Sequence, residues 1–331
     1  MEATSVDAIP AGPEWQYEPK WDGFRCLVFR RGDKVELQSK AGKPLTRYFP
    51  DVAESARALR AKQFVLDGEI VVPRGRAFSF DDLLQRIHPA ASRIAKLAQE
   101  TPALLIVFDL LEDEQGHALL DLPLGERRPK LEGFARKNVR HDGVRLSPAT
   151  TRLSEAKNWL SQVGATLDGI IAKRRDAPYA AGTRDAMVKV KNYRSADCVV
   201  GGFRYGTNSK LVGSLLLGLY DRAGLLHHVG FTSSIPRAEK AALTAKLEKL
   251  KGGGGFTGNA PGGPSRWSTE RSAEWVPLKS KLVVEVCYDH FSGERFRHGT
   301  RLLRWRPDKA PEQCTMEQVR QRKADLMRLL K

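Results

Sequence analysis

Alternation of apolar and polar positions marks the first half of the chain as a mixture of strands and helices. Strand-like runs fall at Val35–Gln38, Phe64–Val72, Leu104–Leu111, Leu167–Lys173 and Ala186–Val190, each apolar throughout or alternating with period two. Between them, helical spacing recurs over Asp51–Arg60, Phe80–Ile87, Ala90–Gln99 and Glu155–Val163, the last with Ser154 placed as its N-cap. Interleaving without a repeating βα unit predicts an α+β domain built on largely antiparallel sheets.

From about Ser195 the texture changes. Short runs at Cys198–Phe203, Ser214–Tyr220, Leu225–Phe231 and Leu282–Tyr288 are separated by glycine-containing turns, and a helix is predicted over Pro236–Leu250 with proline in its first turn. Short strands with one helix suit a small β-barrel of the OB type. The glycine-rich stretch Gly252–Pro264 lacks the G-K-[ST] ending of a P-loop and reads as a flexible loop. Met316–Lys331 reads as a basic helix, with Thr315 and Gln318 at capping-box spacing.

Composition narrows the partners. The chain has 331 residues and 41% hydrophobic content, enough for two folded domains. Fifty-five Lys and Arg against 39 Asp and Glu give a net charge of +16, which favours a polyanion such as nucleic acid; a solvated basic surface would give the same count. Cys26, Cys198, Cys287 and Cys314 are widely separated, with no zinc or disulfide spacing, which fits a reducing interior. The absence of leader-like and membrane-spanning patterns leads to the expectation of a cytoplasmic protein.

The sharpest local signal is Glu18-Pro19-Lys20-Trp21-Asp22-Gly23-Phe24-Arg25. Pro19 favours an extended backbone before the lysine and Gly23 permits a tight turn after it, so Lys20 is displayed on a constrained loop. A lysine amine attacks only when neutral, and nearby cations or desolvation favour that form. In Met187-Val188-Lys189-Val190-Lys191, alternation places Lys189 and Lys191 on one face, where they could hold a phosphate. Taken alone, that run reads better as an edge strand with solvated lysines.

Glu69 in V-L-D-G-E-I-V-V and Asp168 in T-L-D-G-I-I-A-K-R sit inside apolar runs, where a carboxylate is costly unless paired or bound to a cation. A D-G hairpin turn is the competing reading at both places. Phe108, after L-L-I-V, is either core or a surface for stacking a base. Arg304-Trp305-Arg306-Pro307-Asp308-Lys309 gathers cations around an aromatic and by itself reads as a solvated loop.

In combination these segments resemble the covalent nucleotidyltransferase superfamily of DNA ligases, RNA ligases and mRNA capping enzymes. Lys20, Asp22, Gly23 and Arg25 meet its K-x-D-G-x-R signature, and the later segments follow in the family's order. L-Q-S-K-A-G-K-P-L-T-R-Y-F-P at Leu37–Pro50, L-V-V-E-V-C-Y-D-H at Leu282–His290 and R-W-R-P-D-K-A-P-E are closest to the bacterial ATP-dependent ligases of the C and D kinds. The glycine-rich loop followed by W-S-T-E-R-S-A-E-W-V-P leans towards ligase C.

The resemblance implies an adenylation domain over residues 1–193 and an OB domain over 194–331, swinging about a hinge near Tyr193–Ala196. It implies a DNA ligase that uses ATP and Mg²⁺ or Mn²⁺, with Lys20 as nucleophile and a lysyl-AMP intermediate. Asp22 and Arg25 would complete the signature, Arg25 touching the adenylate. Glu18 would recognise adenine and Phe108 would stack on it. Glu69 would hold ribose or a metal, Asp168 the metal, and Lys189 and Lys191 the AMP phosphate. Arg306, Asp308 and Lys309 would orient pyrophosphate. Lys40 stands where the family usually has Arg, replacing a bidentate phosphate contact by a point charge, and Asp168 where it usually has Glu. The expected partners are nicked duplex DNA and, for recruitment, Ku or a repair polymerase, with the enzyme a monomer and no membrane involved. The competing readings are an RNA ligase or mRNA guanylyltransferase with the same lysine chemistry, and a non-enzymatic basic OB-containing DNA-binding protein.

Overall fold

Nine residues of unbroken strand, Gln63–Val71, run through the middle of the largest sheet in the N-terminal part of the chain, bringing two acidic side chains among largely apolar neighbours. The computed structural model describes residues 1–163, 167–262, 274–320 and 325–330. The chain divides into two units, Met1–Asn192 together with the tail Arg322–Lys331, and Tyr193–Gln321.

In the first unit the strands are β1 (Thr4–Ser5), β2 (Trp15–Pro19), β3 (Phe24–Arg31), β4 (Lys34–Ser39), β5 (Gln63–Val71), β6 (Pro73–Arg74), β7 (Ala77–Phe78), β8 (Leu104–Glu112), β9 (Val144–Leu146), β10 (Gly169–Arg174) and β11 (Met187–Lys191). The helices are α1 (Pro50–Arg57), α2 (Phe80–Gln85), α3 (Ala91–Glu100), α4 (Leu124–Asn138) and α5 (Leu153–Val163). One sheet has the order β4-β3-β5-β8-β9 and the other β1-β11-β10-β2. Pairing is antiparallel except at β8–β9 and β1–β11, in keeping with the predicted α+β class.

One core, with Val28, Phe49, Leu66, Ile70, Leu105 and Leu131 among its fully buried members, packs α1 and α4 on the five-stranded sheet. A second, around Tyr17, Trp21, Ile106, Trp159 and Ile170, includes both sheets. Ser154 lies inside the first turn of α5 rather than at its cap, and the Thr150 hydroxyl instead receives the Arg152 N–H at 3.1 Å. Neither D-G pair makes a hairpin: Asp67-Gly68 is internal to β5, and Asp168-Gly169 leads into β10.

The second unit contains β12 (Arg194–Tyr205), β13 (Val212–Tyr220), β14 (Leu226–Thr232), α6 (Lys240–Glu248), β15 (Val276–Pro277), β16 (Val283–Tyr288), β17 (Phe291–Ser292), β18 (Arg295–Phe296) and β19 (Arg301–Trp305). Its main sheet runs β14-β13-β12-β16-β19, with β15 also on β12. A single bridge, Thr232 to Thr300, links the two ends of that order, so the unit is OB-like without a fully hydrogen-bonded barrel wall among the described residues. The predicted helix from Pro236 begins as a 3-10 turn, Arg237–Glu239, and is α-helical only over α6. Gly252–Pro264 falls in this unit; its last two residues, most of W-S-T-E-R-S-A-E-W-V-P, and 321–324 and 331 of the tail lie outside the described residues.

The predicted basic tail helix is corrected. Met316–Val319 and Leu326–Leu330 are separate 3-10 turns, and Thr315 makes no side-chain cap. Gln318 is drawn elsewhere, accepting the Asp197 N–H at 3.0 Å and donating to the Asp197 carbonyl at 3.1 Å. Leu326 and Leu330 are buried in the first unit's second core, which separates this end of the tail from the domain to which the sequence assigned it.

Candidate active site

Lys20 follows the last residue of β2, where the strand has just paired Pro19 with Ile170 of β10. Its backbone N–H donates to the Gly169 carbonyl at 2.9 Å, and its ammonium pairs with the Asp168 carboxylate. A carboxylate oxygen of Asp22 lies within 4.8 Å of one of Asp168. Two glycines make this approach possible. A Cβ on Gly23 would come 2.2 Å from the Ile70 carbonyl, and one on Gly169, at φ +149°, would come 2.0 Å from that of Val190.

Beside Lys20 opens a cavity of about 140 Å³ whose lining includes Glu18, Arg25, Asp67, Glu69, Phe108 and Lys173. Glu18 and Lys173 are buried, as is the neighbouring Gln16. One Glu18 oxygen accepts from the Gln16 amide at 2.9 Å and the other from the Lys173 ammonium at 2.8 Å. Lys173 also lies 4.6 Å from the centre of the Phe108 ring. The ladder between β5 and β8 slips between Asp67 and Gly68, pairing them with Asp109 and Val107, so Phe108 is the extra residue of a bulge. An acid, a cation and an aromatic face thus converge as a flat polar heterocycle requires.

Arg25 is paired opposite Glu69 on β5, but its guanidinium is forked onto Asp67, Nε to Oδ1 at 3.0 Å and Nη2 to Oδ2 at 2.5 Å. Burial opposes its charge, but the Asp67 carboxylate outweighs burial and raises its pKa. Tyr179 donates its hydroxyl to Asp67 at 2.7 Å, and burial followed by that carboxylate raises the phenol.

Glu69 keeps part of its surface open to the cavity yet is densely enclosed. Burial pushes its carboxyl up to about 8, with Asp67 and Asp22 adding to the rise and Lys20 and Arg25 opposing it. The folded chain therefore holds this proton more tightly than the unfolded chain. The stability so gained is fully present below the ordinary carboxyl range and is lost as pH climbs towards about 8. Glu69→Gln, neutral throughout, is expected to gain about 1–3 kcal/mol on wild type between pH 5 and pH 9 in nucleotide-free, metal-free denaturation. Parallel pH profiles would count against this reading.

Lys40, Lys189 and Lys191 are not among the residues lining the cavity. Lys40 reaches Glu2 at 2.8 Å, and Glu2 also bonds Arg184 at 3.0 Å. Burial, then the charges of Lys20 and Lys191, lowers the Lys189 pKa. Arg306, Asp308 and Lys309 lie in the second unit and are paired there. Arg306 donates to Asp308 at 2.9 Å and to Asp197 at 2.9 Å, while Lys309 donates to Asp197 at 2.8 Å. The Arg306 hydrogen bonds bring the Asp308 carboxyl down to about 2.

Sequence reasoning missed Lys173, Asp67, Tyr179 and Asp197. Period two would have found two of them, since Asp67 shares a strand face with Glu69, and Lys173 with Ile171, another cavity residue. Tyr179 and Asp197 carried no such signal.

The architecture and the lysine loop place the chain among the covalent nucleotidyltransferases. Residues 3–191 match the model of the ATP dependent DNA ligase domain, and 208–309 that of the ATP dependent DNA ligase C terminal region. The chain is 46% identical to DNA ligase C1 of Mycolicibacterium smegmatis over 320 residues, 92% of this chain and 88% of that protein. It is 41% identical to DNA ligase C of Mycobacterium tuberculosis over 339 residues, 96% of this chain and 92% of that one. A solved Lig E DNA ligase shares the fold with a TM-score of 0.54 at 16% identity, covering 92% of this chain and 100% of that one. The chain belongs to the ATP-dependent DNA ligase family, and among its relatives it is akin to the ligases C. It is an enzyme that seals DNA with ATP, which displaces both the RNA-directed and the non-enzymatic readings.

Proposed function

We propose that Lys20 is the nucleophile that accepts AMP, with the surrounding cavity as the adenosine site. The observation that carries this is the placement of the Lys20 ammonium on Asp168 at the edge of a cavity walled by Glu18, Lys173 and Phe108. Once deprotonated, Nζ attacks the α-phosphorus of ATP. An N–P bond forms, the bond from that phosphorus to the bridging oxygen breaks, and pyrophosphate leaves with the electron pair. AMP then passes to a DNA 5′-phosphate, and the neighbouring 3′-hydroxyl displaces it. Glu18, with Lys173 fixing its carboxylate, would read the adenine edge; Phe108 would stack on the ring; and Lys189 and Lys191 would hold the phosphate. Arg25, bound to Asp67, sets the wall opposite Glu69. In the second unit, Arg306, Asp308 and Lys309 would serve pyrophosphate.

Divalent metal use is a general property of this family. The residues fit: Glu69 holds a proton because burial and neighbouring carboxylates penalise its charge, and a cation would relieve the same penalty. Glu69 and Asp168 would hold the ion, whose contribution is neutralisation of charge on the transferring phosphate. Peptide mass spectrometry after incubation with ATP tests the nucleophile: AMP on Lys20 is the expected result, and AMP on another lysine refutes it.

An end-joining role is supported by 30% identity to the multifunctional non-homologous end joining protein LigD of Mycobacterium bovis, and recruitment by Ku or a repair polymerase would suit such a role. That match covers 92% of this chain and 38% of that protein. With a net charge of +16 and phosphate contacts as the main grip, nick affinity is expected to fall about 10²- to 10⁴-fold between roughly 50 and 200 mM salt. A flat salt profile in a filter-binding titration would contradict it.

A further inference from the structure

The tail turn Leu326–Leu330 is too short to be stable by itself, so its order comes from what it is buried against. Leu326 and Leu330 are enclosed in the cluster that contains Trp21 and Leu167, with Met327 and Leu329 packed partly on it. The main chain is fixed as well, for the Leu326 N–H donates to the Arg76 carbonyl at 2.8 Å, in the turn between β6 and β7. Phe78 of β7 meets the Trp21 indole edge-on with ring centres 5.9 Å apart, and Trp21 donates Nε1–H to the Ser147 hydroxyl at 2.9 Å. Trp21 directly follows Lys20, and Leu167 directly precedes Asp168. The tail is therefore seated in the cluster that backs both members of the Lys20–Asp168 pair.

We propose that Leu326–Leu330 is a positioning element for the nucleophile, acting through the β6–β7 turn, Phe78 and Trp21; the inference rests on Lys20 being the adenylated residue. An indole held by Ser147 and packed by Phe78 has one orientation, and the lysine backbone immediately before it inherits that orientation. In-line attack on phosphorus is sensitive to such placement, a shift of about 1 Å costing on the order of 10²-fold.

The test compares two rates of the full chain carrying both Leu326→Ser and Leu330→Ser. One is single-turnover self-adenylation with ATP, and the other is sealing, without ATP, of a nick that already carries 5′-AMP. Self-adenylation is expected to fall roughly 10- to 100-fold while sealing of the adenylated nick stays within about twofold. The pair Leu326→Met and Leu330→Met should restore the first rate. Equal loss in both reactions, which a purely structural tail would give, overturns the proposal, as does no loss in either. Should the serine pair not fold, Phe78→Leu, which removes the aromatic edge on Trp21 and leaves the tail in place, carries the same two expectations. Lys20→Ala run alongside separates the underlying readings. If it still takes up AMP, the nucleophile is misassigned; if it is inert while the serine pair labels at the wild-type rate, only the tail's role is refuted.

Discussion

Lys20→Ala is expected to lose self-adenylation by on the order of 10⁴-fold or more, and with it all sealing that starts from ATP. The magnitude follows from the scarcity of substitutes. Lys173 is the other lysine lining the cavity, and it is buried with its ammonium on Glu18 at 2.8 Å and its charge over Phe108. Freeing its amine would strip a buried carboxylate of its cation. Lys20→Arg should be as inert, since guanidinium does not deprotonate in this range. Sealing of a nick that already bears 5′-AMP needs no lysine nucleophile and should survive within about tenfold. Intact-mass spectra and a gel assay on the two substrates decide the matter, and an adenylated Lys20→Ala protein would end the assignment.

Arg127→Met is expected to destabilise the first unit by about 3–5 kcal/mol. The Arg127 side chain is 0% exposed and that of Asp109 3% exposed, and two hydrogen bonds of 2.9 and 3.0 Å join them in a fork. Arg127 further donates to the Leu122 carbonyl at 2.5 Å, and its guanidinium lies 5.7 Å from the Tyr179 ring centre. Removing the cation strands a carboxylate in the wall of the cavity beside Lys20. Replacing both partners, as Arg127→Met with Asp109→Leu, removes the stranded charge as well and should recover most of the loss. Denaturant titration of the full chain measures it; a cost below about 1 kcal/mol for the single variant would show that the pair is not integral to the core.

What could be read from the sequence follows from which side chains face inward. β5 and β8 are buried along most of their length, and the sequence predicts them within a residue or two of their ends. α4 escaped because its buried side includes Arg127 and Arg128 beside Leu131 and Phe134, while Pro129 and Gly133 stand in its interior. β3 alternates correctly, but Arg30 takes an inward position, its guanidinium donating to the Ala56 and Leu59 carbonyls. At the candidate site, Lys20 stands out through its signature and Glu69 and Asp168 as carboxylates in apolar runs, whereas the roles expected of Glu18 and Phe108 rest on the family resemblance. Lys173 and Asp67 share strand faces with other cavity residues, but what each does shows only when a partner distant in sequence, Glu18 or Arg25, is brought opposite it.

The burial of Leu326 and Leu330 beside Tyr17 and Trp21 also sets an order of events in biosynthesis. A ribosome makes the lysine loop first and the tail long afterwards, on the order of tens of seconds at ordinary elongation rates. In that interval the five-stranded sheet can close its own core, whereas the cluster behind the lysine loop waits with an apolar notch open. The contact that completes it closes a loop around the entire second unit, at an entropic cost that grows only with the logarithm of loop length. The enzyme's first half can thus be nearly folded, yet lack the last support of the loop that carries Lys20, until translation has passed the second unit.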